Sequence, residues 1–142
     1  MIIVDLDIIA PLYWWKEFDT YKVGTVANSC STMHKIAAKE FTLDDFSHEH
    51  LVGRGKEMLS AVIKELNYWR ELYSYTKIKD DWWQMIQLLP TSYNQKRTVM
   101  LNYEVLANIY KSRKNHKLDE WRKFCDWIET LPHSELIKGD TE

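Results

Sequence analysis

Met58, Val62, Leu66, Trp69 and Tyr73 recur at steps of four, four, three and four residues, the spacing of a single apolar stripe along an α-helix. The stripe follows Gly53 and Gly55 and predicts a helix running to about Ser74. A helix of that length owes most of its stability to whatever covers its stripe, so the rest of the chain must supply a packed partner layer.

Candidates for that layer flank it. In Ile3 to Ile9 the apolar Val4, Leu6 and Ile8 alternate with Asp5 and Asp7, the two-residue period of a strand with one buried face, and Pro11 ends it. Residues 12–19 make one or two helical turns. From Tyr21 to Lys39 periodicity is lost in a polar stretch that predicts a long irregular loop. Thr42 caps a short helix start with Asp44 and Asp45 in its first turn. A helix from Asp81 to Leu89 has Asp80 as its cap and stops before Pro90. Residues 96–101 form a β-branched strand. Asn102 then caps a helix whose Leu106, Ile109 and Arg113 share a face. A last helix, Asp119 to Leu131, buries Trp121, Cys125 and Ile128 and stops at Pro132, leaving residues 133–142 as a frayed tail. The expected class is α+β, mainly helical, with a small antiparallel sheet packed with helices in one domain over residues 1–132.

At 142 residues such a domain buries roughly two-thirds of the surface its unfolded chain exposes. Seven Trp, eight Tyr and four Phe exceed what one small core needs, so some rings are expected at an oligomer interface or a ligand pocket. Formal charge is −2, from 19 basic and 21 acidic residues, which gives no positive field to draw in a polyanion and argues against nucleic acid as a partner. Cys30 and Cys125 match no metal spacing and read as free thiols in a reducing cytoplasm. The amino-terminal apolar run carries Asp5 and Asp7 without a basic leader, and no run is long enough to span a bilayer; neither export nor a membrane is expected.

Few residues offer chemistry. His48-Glu49-His50 could share a metal only in a strand, and it lies in a charged loop, so no metal is expected. Gly53-Arg54-Gly55-Lys56 precedes a helix but lacks a Walker or dinucleotide fingerprint and reads as a turn. Lys111 to Lys117 reads as a solvated helix end. Arg113 differs, because it continues the buried face of Leu106 and Ile109. Its planar fork suits a phosphate or carboxylate, and Glu120 or Asp119 is the alternative partner. Asn108 lies roughly 140° around the same helix.

Residues 88–122, with Leu-Pro, a strand containing Thr98, then Asn102, Asn108 and Arg113, resemble the carboxy-terminal part of the flavin-dependent thymidylate synthases (ThyX). IIAPLYWWKEFDTYKVGTVANSCSTMHK upstream is similar to that family's strand, helix and signature loop. The resemblance, that of a short, divergent, phage-type member, implies a thymidylate-synthase-complementing-like fold, a homo-oligomer (dimer or tetramer) and sites for flavin and deoxyuridine monophosphate at subunit junctions. Here Thr20-Tyr21-Lys22 stands for the family's Arg-His-Arg, Glu17 for its Gln, and Ile86 for the Arg before Leu-Pro. Hydroxyl, phenol and amine do not reproduce guanidinium clamps. The resemblance therefore implies a nucleotide-binding protein that is non-catalytic or weakly catalytic, in the cytoplasm (the host's if phage-encoded), sequestering a nucleotide or nucleotide signal. No cofactor is expected, FAD entering only if the family activity is retained. The candidate ligand residues are Arg113, Asn108, Lys22, Tyr21, Asn28, Ser29, Ser31, Glu17 and Arg97, with no catalytic residue assigned. The alternatives are a divergent methyl-transferring synthase using Tyr21, Lys22 and His34, and a protein-interaction module on a vestigial scaffold.

Overall fold

The structure, a computed structural model, describes residues 2–21, 26–29 and 35–139, with residues 26–29 described by their backbone. The elements in order are β1 (Ile3–Pro11), α1 (Leu12–Phe18), β2 (Val26–Ser29), a 3-10 turn (Leu43–Asp45), α2 (Gly53–Thr76), α3 (Lys79–Leu88), β3 (Asn94–Asn102), α4 (Tyr103–Arg113), α5 (Asp119–Ile128) and α6 (Glu135–Lys138). The chain divides into two compact units, Met1–Ser29 with Lys96–Glu142, and Cys30–Gln95.

The first unit is built on a three-stranded sheet in the order β1-β3-β2. Its alternation is the expected one. Val99 and Leu101 of β3 are buried, while the alternate residues Lys96, Thr98 and Met100 face out. On β1 the outward Asp7 accepts a hydrogen bond from the Thr98 hydroxyl at 2.6 Å, and Ile2 O accepts from Tyr103 N–H at 3.1 Å. One index rises as the other falls, so β1 and β3 run antiparallel. Pro11, with no N–H to give to a ladder, closes β1 and stands at the start of α1 with φ −67°.

β2 corrects the expectation of irregular chain from Tyr21 to Lys39. It pairs antiparallel with β3, Ala27 opposite Val99 and Ser29 opposite Arg97. Four residues ending in Asn-Ser carry too little alternation to be read as a strand. The ladder offered by β3 decides their conformation instead.

Helices cover the inner face. α1 buries Trp14, Trp15 and Phe18, and α5 buries Trp121, Cys125 and Ile128. Asn102 caps α4 as its sequence position indicates, its side-chain oxygen accepting from Val105 N–H at 2.8 Å. The carboxy-terminal segment is not the expected frayed tail: α6 forms, and Ile137, 3% exposed, joins the core with Tyr103 and Leu106. One buried aliphatic residue beside the exposed Leu136 is too little for periodicity to register, yet it finds a prepared apolar surface. The Tyr103 hydroxyl also bonds Pro132 O.

In the second unit α2 and α3 form a helical pair. The stripe of α2 faces the core as expected except at its first residue. Met58 is 64% exposed, and Leu59 and Leu66, seven residues or about two turns apart, are the buried residues of the helix. Val62, Trp69 and Tyr73 pack at the border of that core. Gly53 opens the helix at φ +52°, which a side chain would tolerate poorly. α3 begins at Lys79 rather than Asp81, and Asp80 does not cap it; Ile78 occupies the cap position and both aspartates lie in the first turn. The Thr76 hydroxyl supplies the local order, donating to Asp81 Oδ2 at 2.6 Å and accepting from Ile78 N–H at 3.1 Å.

Asn67 holds the entry of this unit, giving and taking one hydrogen bond each with Phe41 N–H (2.8 Å) and Phe41 O (2.9 Å). Thr42 N–H donates to Asp45 Oδ2 at 2.8 Å, fixing the 3-10 turn. His48 turns its Nδ1 to Phe46 O at 2.9 Å. Tyr68, Tyr75 and Trp83 are the exposed large rings, all on α2 and α3. Among the described residues no helix is long and apolar enough to cross a membrane, and no cluster of three His, Cys, Asp or Glu is placed to hold a metal.

Candidate functional site

The end of α4 and the end of α1 meet at Arg113. Both ends are turned back locally. His116 N–H donates to Arg113 O at 3.0 Å, folding the chain after α4 onto its last turn, and Tyr21 N–H donates to Phe18 O at 2.9 Å at the close of α1. These two turns bring Glu17, Tyr21, Arg113 and His116 together.

Arg113 is held inward, its side chain 17% exposed. Nε donates to the Tyr21 hydroxyl at 2.9 Å, and Nη1 donates to Glu17 Oε2. The guanidinium also lies over the Trp121 ring, 4.8 Å from its centroid, and 5.5 Å from that of Tyr21. The carboxylate it takes is therefore Glu17, not the Glu120 or Asp119 weighed from the sequence. Glu120 receives the Tyr13 hydroxyl and Asp119 pairs with Arg122. Nη2 makes no hydrogen bond among the described residues.

Glu17 Oε2 is shared. His116 Nε2 lies 3.1 Å from it, while His116 Nδ1 accepts from Leu118 N–H at 3.0 Å. A ring nitrogen that accepts carries no proton, so this bond fixes the neutral Nε2–H tautomer. Glu17 Oε1 takes no hydrogen bond among the described residues.

Arg97 forms a second, separate pair. Its guanidinium grips Asp19 through Nη1–Oδ1 at 2.6 Å and Nη2–Oδ2 at 3.3 Å and stacks 4.4 Å from the Trp15 ring centroid. Asn108 is exposed on the far side of α4 and is not brought to Arg113. Asn28 and Ser29 lie on β2 opposite Thr98 and Arg97. Lys22, Ser31 and His34 lie outside the described residues. Of the nine candidates, the structure thus gathers Arg113, Tyr21 and Glu17. Sequence reasoning missed His116, hidden in a cationic run read as solvated, and Trp121, assigned to the core alone; His116 lies in the turn after Arg113 and Trp121 on the helix beyond it.

A small antiparallel sheet covered by helices, with an inward arginine at the end of the helix that follows the central strand, makes the first unit an α+β, mainly helical arrangement. The fold is thymidylate-synthase-complementing-like, as the resemblance implies: two structures of the flavin-dependent thymidylate synthase ThyX from Helicobacter pylori, each with FAD and dUMP, match over 94% of this chain and 70% and 69% of theirs, with TM-scores of 0.66 and 0.67 and 15% identity. At that identity the likeness is one of fold. The sequence matches no protein-family model and no curated protein.

Proposed function

We propose that this chain is a nucleotide-binding protein on a ThyX-like fold, non-catalytic or weakly catalytic, that takes its ligand at the Arg113 end of α4 and works by sequestering it. One observation carries the reading: a guanidinium drawn into the protein by the Trp121 ring, by the ring and hydroxyl of Tyr21 and by the Glu17 carboxylate, with Nη2 still unbonded among the described residues. Such a donor pair is suited to a phosphate oxygen. The likeness to structures that hold dUMP supports a nucleotide over other anions. Homo-oligomerisation belongs to the same reading, since a ligand could then lie between copies.

FAD enters this reading only if the family activity is retained: Arg113 and Arg97 each already hold a carboxylate, Glu17 and Asp19, so neither offers its whole fork to a pyrophosphate. No step through flavin is assigned here.

The test is thermal shift and titration calorimetry with mono-, di- and cyclic nucleotides. Binding of at least one, saturable and lost in Arg113→Ala, is the expected result. A panel without shift or heat overturns the reading. A yellow purified protein that oxidises a reduced nicotinamide cofactor in the presence of dUMP would establish a synthase instead.

A further inference from the structure

We propose that Glu17 is the resident anion of the Arg113 site and that it tunes the site toward singly charged phosphodiesters and away from doubly charged phosphomonoesters; the inference rests on the nucleotide-binding reading above. Among the described residues the charged groups that make the site are Arg113 and Glu17, with Arg122 behind them, its Nη1 on His116 O and its charge paired with Asp119. Arg113 contributes one positive charge and Glu17 one negative, joined through Nη1 and Oε2. His116 adds none, because Leu118 N–H occupies its Nδ1 at 3.0 Å while Nε2 faces the same Glu17 oxygen at 3.1 Å. Lys111 and Lys114, on the neighbouring turns, are exposed and act through water.

A ligand phosphate approaching Nη2 therefore meets a pair whose attraction and repulsion largely cancel. Doubling the ligand's charge doubles both. The cost of taking that charge out of water grows with its square, so the second charge loses more in desolvation than it gains. Among the described residues, the edge offered by the pair leaves two N–H donors on Nη2 and an acceptor on Glu17 Oε1 without a hydrogen bond. A phosphodiester monoanion takes the donors without crowding the carboxylate. A monoester dianion at the same place must either face Oε1 or displace Glu17 from both Arg113 and His116.

The experiment is calorimetry of the full chain, wild type and Glu17→Gln, with the monophosphates of the four common nucleosides and the cyclic monophosphates of the same nucleosides. It is run at about pH 8, where the monoester is doubly charged. Wild type is expected to favour the cyclic form. Glu17→Gln is expected to raise monoester affinity roughly tenfold or more and the cyclic form by less, an effect set by removing a unit charge a few ångströms away. Both forms binding with a ratio unchanged in Glu17→Gln overturns the inference and leaves the nucleotide reading standing. No binding of any probe to either protein overturns both. Should Glu17→Gln fail to fold, the wild-type ratio decides, and a tenfold preference for the monoester there overturns the inference.

Discussion

The rings of Trp14 and Trp121 lie with centroids 4.5 Å apart and tilted by 32°, joining α1 to α5 at the centre of the first unit. Both are fully buried, and neither indole N–H has a hydrogen-bond partner among the described residues. Their contribution is therefore packing and ring contact, offset in part by two unpaired donors.

Trp121→Ala should cost about 3–5 kcal/mol of stability, the range for emptying a large aromatic site. Trp121→Phe should cost less than about 1.5 kcal/mol, because removing an unsatisfied donor returns about 1–3 kcal/mol against the lost ring area. Urea unfolding of the two variants checks this. Equal losses would show that the N–H has a partner after all.

Arg70 gives the opposite sign. It lies one helical turn beyond Leu66 on the buried side of α2, with Nε sealed from water and no hydrogen bond or ion pair among the described residues. Arg70→Met keeps the long unbranched stem and deletes the stranded donor. Stability should rise by about 1 kcal/mol or more. A denaturation midpoint that falls instead would mean that the guanidinium head earns its place through an interaction outside the unit.

These features separate what the sequence discloses from what it hides. The cap at Asn102, the inward Arg113 and the buried Trp121, Cys125 and Ile128 all follow from spacing within one helix, and all are found. The counter-ion of Arg113 is another matter: Glu17 is 96 residues away, and no local pattern announces it. β2 and α6 are hidden for a related reason, being short elements whose conformation is set by a ladder or surface supplied from elsewhere. On α2 the spacing places Val62, Leu66, Trp69 and Tyr73 on the core, while Met58 keeps the spacing yet is exposed and its neighbour Leu59 is buried instead. At the site the residue types were legible and their pairing was not.

Cys125 ties the core to pH. The side chain is 2% exposed, and burial, reinforced by the nearby Asp126 and Glu129 carboxylates, pushes its thiol up to about 11. In the unfolded chain the thiol loses its proton at lower pH. Above about pH 9 the unfolded state therefore holds fewer protons than the folded one, and stability falls as pH rises toward about 11, by up to ~1.4 kcal/mol per unit. Tyr110, also raised by burial and then by Glu129, adds to the slope in the same direction. Chemical denaturation across this range should show the decline, and Cys125→Ala should flatten part of it. The native thiol should resist alkylation at about pH 8 and react once the chain is unfolded.

Arg113 is where fold and function can be pulled apart. Removing its guanidinium takes away the Nη2 donors and also strips Glu17 of its cation, leaving that carboxylate, among the described residues, with His116 at 3.1 Å. Glu17 is 31% exposed, so water can take over much of the lost pairing, and Arg113→Ala should remain folded by circular dichroism. Nucleotide affinity should drop by about 1.5–3 kcal/mol, the worth of a charge-assisted bond, or roughly tenfold to a hundredfold in Kd. Arg113→Lys should recover only part of it, since an ammonium restores the charge but cannot bond Tyr21, Glu17 and a ligand in one plane. An unchanged Kd in Arg113→Ala would place the ligand elsewhere, and full recovery by lysine would show that charge alone, not the fork, is what the ligand reads.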